Sequence, residues 1–311
     1  MIKKIAIYII AFICLLFVYR AFLYTGIKKN KEGIFNKYNE LFLKEGNTYE
    51  VLFLGSSRAE MHFNPKVFDE VTGLNSYNMG ISGASPKISL ALLKTYCHQH
   101  QKPKHIIFNI DYFSLQNDTD RLNDFPRYFP YLRNSHLRNG LNQIDKRFNS
   151  FYYNPLHSLP YTQIEYLSAA LHGWLTISGK YDTLMYKGYQ TSELKKINNN
   201  DEPKPIYSFI SIKNRGYIDS IVLFTKANNI KLTLVTSPVF GGGKKNVINK
   251  SDLTNQLKNI SYINHLSYFD YTDSLNYQNP QLFADYFHLN RNGALKFSQS
   301  ISLAFDNILV K

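Results

Sequence analysis

The sequence predicts an α/β fold in which a mainly parallel central sheet is covered by helices on both faces, preceded by one N-terminal transmembrane helix. Short apolar runs alternate with amphipathic stretches from Tyr49 onward, the same rhythm returns after residue 205, and a separate unbroken apolar run stands at the start.

The elements follow in order. Residues 5–19, IAIYIIAFICLLFVY, carry no polar break and are preceded by Lys3 and Lys4. With Ala21 to Tyr24 beyond Arg20 the stretch reaches about 20 residues, enough to span a bilayer if Arg20 snorkels to the headgroups. No small-x-small cleavage site follows, so residues 1–24 read as an uncleaved anchor. Arg20, Lys28, Lys29, Lys31 and Lys37 follow the span and weaken the charge asymmetry that sets orientation. Residues 25–48 are polar and read as a stalk. The domain proper is expected over 49–311. Its first half gives a strand at 51–55, a helix from Pro65, a strand within 74–80, a helix from about Pro86 to His98 and a strand at 105–110. That is a βαβαβ series, and its ligands belong outside the carboxyl ends of the strands.

Residues 114–205 lose the rhythm and read as an insertion or lid, with helices near 133–146 and 161–172. They hold Tyr128, Phe129, Tyr131, Tyr152, Tyr153, Tyr161, Tyr166 and Trp174, rings that serve either as core or as a surface for sugars or a membrane edge. A helix from about Ile212 to Asn228, strands at 231–238 and 266–270, and a final helix from about Arg291 to Asp306 complete the domain. The stretch Gly241 to Lys245 follows a strand end but lacks the spaced Gly-Lys-Ser/Thr of a phosphate loop, so a flexible rim loop is expected.

Composition bounds the partners. Hydrophobic residues are 44% and charged residues 19%, which describes a globular body. The formal net charge of +13 favours anionic surfaces, although abundant Lys, Asn, Ile, Tyr and Phe also follow from AT-rich coding. No zinc-finger spacing, arginine-rich arm or recognition helix is present, so nucleic acid is not expected as a partner. Cys14 and Cys97 lack metal-type spacing, and an intrachain disulfide is not expected because Cys14 lies in the apolar run. No metal or cofactor is expected.

Two short segments carry chemistry. The first is Gly55-Ser56-Ser57-Arg58, which presents a hydroxyl where a strand turns into a helix, so that helix-start amides face a developing negative charge. A serine there is also a common helix cap. The second is Asp285-Tyr286-Phe287-His288-Leu289-Asn290. Asn290 suits the cap of the last helix, leaving His288 in the preceding loop with Asp285 three residues upstream, able to hold one ring nitrogen while the other takes a proton from a serine.

The order of Ser, a long gap, then Asp-x-x-His before the last helix resembles the SGNH (GDSL-type) hydrolase family. The resemblance implies a flavodoxin-like three-layer sandwich, with Ser57 as nucleophile, His288 as base, Asp285 as its orienting acid and Ser56 in the family's usual Asp position. Asn78 to Ser85 is similar to the second block, which assigns Gly83 to the oxyanion hole with Gly80 as a neighbour that shares it. The third block departs. Its strand ends Phe108-Asn109-Ile110-Asp111, so either Asn109 fills the oxyanion role from a shifted register or Asp111 occupies that position as an acceptor-only carboxylate.

The anchor, Ser56 and the Thr236-Ser237-Pro238 strand end resemble membrane-tethered relatives that carry out D-alanyl transfer to teichoic acid and O-acetylation of alginate. That resemblance implies a serine esterase or O-acyltransferase of the cell envelope, single-pass in the cytoplasmic membrane with its catalytic domain outside. It also implies an acylated cell-surface polysaccharide or polymer as substrate, and a membrane-bound O-acyltransferase as partner. The alternative is a non-catalytic accessory subunit that binds glycan or docks on such an acyltransferase.

Overall fold

The computed structural model describes residues 1–116, 122, 124–175, 185–192, 204–241, 247–274 and 277–309. The chain divides into two compact units, Met1–Glu45 with Asp124–Asp182, and Gly46–Asn123 with Thr183–Lys311.

In the second unit the apolar runs become strands β1 (Val51–Leu54), β2 (Ser76–Asn78), β3 (His105–Asn109), a short antiparallel hairpin β4 (Met185–Tyr186) and β5 (Tyr189–Gln190), then β6 (Lys231–Thr236) and β7 (Ser267–Asp270). Five of them form one parallel sheet in the order β2-β1-β3-β6-β7. Counted within the sheet this is the flavodoxin-like order 2-1-3-4-5. β1, β2 and β3 are buried at every residue, as β-strands covered on both faces must be; β1 and the centre of β3 accordingly read as continuous apolar runs, whereas β2 is the short Ser-Tyr-Asn. β7, at the edge, is only partly covered.

Right-handed crossovers place the helices. The step from β1 to β2 runs one way and all later steps run the other, so their helices fall on opposite faces. Consistently, helix Pro65–Thr72 packs with the last helix, Arg291–Leu309, while Pro86–Gln99 packs with Ile212–Ala227. Val51 and Phe53 of β1 join Phe63, Phe68, Phe297 and Ile301 in one buried cluster with Ile107 and Val235. Each such large side chain contributes roughly 1.5–3 kcal/mol by leaving water.

Several elements differ from expectation, the hairpin β4–β5 within the expected lid among them. Helix Lys250–Asn264 precedes β7 where no helix was anticipated. Its buried Leu253, Leu257 and Ile260 sit on one helical face, but the intervening residues are so polar that the stripe is faint. β6 stops at Thr236 instead of 238, since Pro238 has no N–H to continue a ladder.

In the first unit, helix Ile2–Lys29 runs past residue 24 without a break, and among the described residues it is the one helix long and apolar enough to cross a membrane. The segment expected as a stalk holds helix Gly33–Phe42, which buries Tyr38, Leu41 and Phe42. Where an insertion was drawn at 114–205, this unit takes 124–182. Tyr128, Phe129, Tyr131 and Tyr166 are buried there as core, and Tyr153 is 73% exposed. Helix Ile164–Leu175 meets the long helix through Asn30 Nδ2, which donates to the Ala169 carbonyl at 2.9 Å, and Trp174 Nε1, which donates to the Phe22 carbonyl at 2.9 Å. Of the glycine-rich stretch, residues 242–245 lie outside the described residues, as do parts of the expected lid.

Candidate active site

β1 and β3 flank the point where the chain reverses direction across the sheet, and the crevice at their carboxyl ends is where this topology leaves room for a ligand. β1 runs into Gly55, whose φ of +141° is a glycine conformation, and a Cβ there would meet the Asn109 carbonyl oxygen at 2.6 Å. Ser56 then caps helix Ser57–His62, its Oγ accepting from the Arg58 amide at 3.3 Å. Ser57 is thereby the first helical residue, and its own N–H has no partner within the helix.

The last helix begins at a strong cap. Asn290 Oδ1 accepts from the amides of Asn292 at 3.0 Å and Gly293 at 3.1 Å, and Asn290 Nδ2 donates to the Gln281 carbonyl at 2.7 Å. The preceding loop is closed by the Ala284 amide donating to the His288 carbonyl at 2.8 Å. His288 Nε2 then lies 2.8 Å from Ser57 Oγ, across 231 residues of sequence. Its Nδ1 lies 2.8 Å from Asp285 Oδ2 and 3.0 Å from Oδ1. Asp285 Oδ1 also accepts from the amides of Phe287 and His288, both at 2.8 Å. Burial pushes the Asp285 carboxyl up, but the His288 ring and these two amides outweigh it and hold it below the usual carboxylate range. An ionised Asp285 fixes the proton of a neutral imidazole on Nδ1, leaving Nε2 as an acceptor toward the serine.

A residue that sequence reasoning missed holds this loop. His62 is fully buried, its Nε2 accepting from the Leu289 amide at 3.0 Å and its Nδ1 3.0 Å from Ser237 Oγ. Accepting at Nε2 puts its proton on Nδ1, so Nδ1 donates to Ser237. Burial above all, then Arg58 and His288, push its pKa well below that of a free imidazole, and it stays neutral. A lone histidine five residues after Ser57 gives no sequence signal, because both partners are distant in the chain.

The oxyanion assignments separate. Gly83, with φ +76°, lines the same cavity as Ser57. The Gly80 amide instead donates to Asn78 Oδ1 at 2.9 Å. Asn109 does not line the cavity; its Oδ1 accepts from the Ser237 amide at 3.1 Å. Asp111 does line it, and accepts a short hydrogen bond from Ser56 Oγ. Its charge is opposed by Arg58, a fully buried guanidinium whose Nη2 also donates to the Ser237 carbonyl at 2.5 Å and the Pro238 carbonyl at 3.1 Å. Burial pulls Arg58 down, and Asp111 is the strongest influence raising it again. Arg58 was read only as part of the serine segment, and its place beside Asp111 is a tertiary fact.

The cavity holds about 300 Å³, and Phe113 and Phe287 form an apolar wall with ring centroids 4.5 Å apart, edge to face. Among the described residues no cluster of His, Cys, Asp and Glu is arranged to hold a metal.

No family model matches the chain, and no curated protein matches it. Among solved structures, a provisionally assigned acylhydrolase from Bacteroides fragilis is 17% identical with a TM-score of 0.44, over 89% of this chain and 95% of its own. A GDSL-like lipase from Bacteroides thetaiotaomicron is 13% identical with a TM-score of 0.43, over 88% and 97%. A provisionally assigned lipolytic protein of the G-D-S-L family from Desulfitobacterium hafniense is 9% identical with a TM-score of 0.43, over 82% and 99%. Likeness at this level carries no weight for the site, which rests on its own geometry.

Proposed function

We propose that this chain is a serine esterase or O-acyltransferase that acts on acyl esters of a cell-surface polysaccharide or polymer, held to the membrane by its N-terminal helix with the catalytic unit outside the cytoplasm. The observation that carries the chemistry is the continuous chain from Ser57 Oγ to His288 Nε2 and from Nδ1 to Asp285, each link 2.8 Å.

In this reading Ser57 Oγ attacks the ester carbonyl while its proton passes to His288 Nε2. Asp285 stabilises the resulting imidazolium, and the amides of Ser57 and Gly83 receive the oxyanion. The alkoxide leaves with the proton returned by Nε2, and an acyl group remains on Ser57. Water or a sugar hydroxyl, deprotonated by the same nitrogen, then releases it as acid or as a new ester. The apolar wall of Phe113 and Phe287 and the small cavity suit a short acyl chain. A membrane-bound O-acyltransferase is the partner this reading calls for when transfer is the physiological outcome.

The test is fluorophosphonate labelling and acetyl-ester turnover by the full chain in detergent. Wild type labels and turns over; Ser57→Ala does neither. Equal behaviour of the two proteins sinks the reading. One observation favours a second reading, a non-catalytic accessory subunit: the residue after the third strand that lines the cavity with Ser57 is the acceptor-only Asp111, hydrogen-bonded to Ser56, rather than a donor. That reading requires polymer acylation in cells to survive Ser57→Ala.

A further inference from the structure

A second, larger cavity of about 600 Å³ belongs wholly to the first unit, remote in sequence from the serine. Phe17, Arg20, Tyr24 and Lys28 of the long helix line one side, and Arg133 and Tyr152 line the other. Three cations therefore converge, and among the described lining residues none is acidic. Arg20 Nε is buried without a hydrogen-bond partner, while its guanidinium carbon lies 5.0 Å from the centre of the Tyr24 ring. Concentrated like charge and an unpartnered buried donor both raise the free energy of the empty cavity, and one polyvalent oxyanion relieves both.

Depth identifies where that anion comes from. Phe17 belongs to the apolar run and Arg20 is the first cation beyond it, so the cavity opens at the polar edge of the membrane-crossing segment. Arg20 and Lys28 lie about 12 Å apart along the axis at 1.5 Å per residue, enough to reach across one headgroup layer of roughly 5–8 Å. On the same helix Phe12, Leu15 and Val18 are 60%, 65% and 64% exposed, offering hydrocarbon surface toward the membrane. We infer that this cavity binds the phosphate of an anionic membrane lipid, with Arg20, Lys28 and Arg133 holding the phosphate oxygens and the acyl chains lying along the apolar face of the helix. The guanidinium forks suit phosphate oxygens in pairs, and the aromatic lining suits the glycerol region. The site is independent of the chemistry proposed for Ser57.

Native mass spectrometry of the full chain in neutral detergent tests this with phosphatidic acid, diacylglycerol of the same chains and inorganic phosphate. Wild type is expected to hold one phosphatidic acid, at least about tenfold more tightly than diacylglycerol, a comparison that needs no variant. Arg20→Gln with Arg133→Gln is expected to weaken that adduct about tenfold or more. Lys3→Gln with Lys4→Gln, the same loss of charge away from the cavity, is expected to leave it unchanged. Thermal unfolding of both double variants at the wild-type midpoint shows that the comparison is between folded proteins. Equal retention by wild type and the Arg20/Arg133 variant, equal loss in the Lys3/Lys4 control, or equal binding of diacylglycerol overturns the proposal. Displacement of the lipid by equimolar inorganic phosphate overturns the lipid assignment and makes the cavity a site for a soluble phosphate.

Discussion

Replacing Asp285 with Asn alters one atom, and the surrounding hydrogen bonds decide the consequence. Asp285 Oδ1 accepts two backbone amides at 2.8 Å, and Oδ2 stands 2.8 Å from His288 Nδ1. In Asp285→Asn the carbonyl oxygen must stay with the amides, because the opposite orientation sets an NH2 against two N–H donors and loses two hydrogen bonds. The NH2 therefore replaces Oδ2 and donates to Nδ1, which becomes an acceptor. The imidazole proton moves to Nε2 and points at Ser57 Oγ, so the ring no longer accepts the serine proton. A wrong tautomer of this kind lowers acyl-transfer rates by about 10⁴ in serine triads, equivalent to about 5.4 kcal/mol. Initial rates with 4-nitrophenyl acetate and the rate of fluorophosphonate labelling both measure it. The two losses should match, and adding Ser57→Ala to Asp285→Asn should give no more than Ser57→Ala alone. A loss below about tenfold, with the fold intact, would refute the argument from tautomer control and the role given to Asp285.

Other consequences follow from the buried groups around the serine. Arg58→Met leaves Asp111 without its buried countercharge and is expected to destabilise by about 3–5 kcal/mol, while Arg58→Met with Asp111→Asn recovers part of that loss; chemical denaturation of the two variants reads the difference, and additive losses would remove the coupling. His62 has a folded pKa below its unfolded value of about 6.5, so on acidification the unfolded chain takes the proton first. Stability should then fall below pH ~6.5 by up to roughly 1.4 kcal/mol per pH unit from this one group. His105, lowered to about 4 chiefly by burial, acts in the same direction and remains in the variant. In His62→Gln the slope should shrink by one proton, and parallel unfolding midpoints for variant and wild type from pH 7 to 5 would exclude this account. Gly55→Ala forces a side chain into a positive-φ turn against the Asn109 carbonyl, and a loss of labelling at Ser57 together with a lowered thermal midpoint is expected; wild-type behaviour in both would show that the turn tolerates a Cβ.

The apolar runs were legible because a parallel sheet covered on both faces needs continuous β-prone strands, and each of the five stands within a run read from the sequence. Asp285 and His288 were legible because their relation is local: three residues of a loop, closed by the Asn290 cap, suffice to bring the carboxylate to the imidazole. The strand and glycine at 51–55 marked a hydroxyl at the sheet's carboxyl edge, while the choice of Ser57 over Ser56 came from the resemblance; Ser56 is the helix cap and Ser57 the residue beside His288. The polar helix Lys250–Asn264 escaped because only three buried apolar positions mark it.

Tertiary structure alone decided the rest. The partners of Asn109 and Asp111 turn on how the chain leaves β3, since the pairing of Asn109 beside Val235 brings its carboxamide to the Ser237 amide and leaves Asp111 hydrogen-bonded to Ser56. His62 and Arg58 acquire their partners 175 to 227 residues away, at the ends of β6 and before the last helix. The convergence of Arg20, Lys28 and Arg133 joins the start of the chain to a segment more than a hundred residues later. Local sequence determined which groups exist and how each element begins, because caps, turns and strand patterns act over a few residues. Which groups face one another, and hence their charge state and chemistry, depended on packing that brings distant segments into contact.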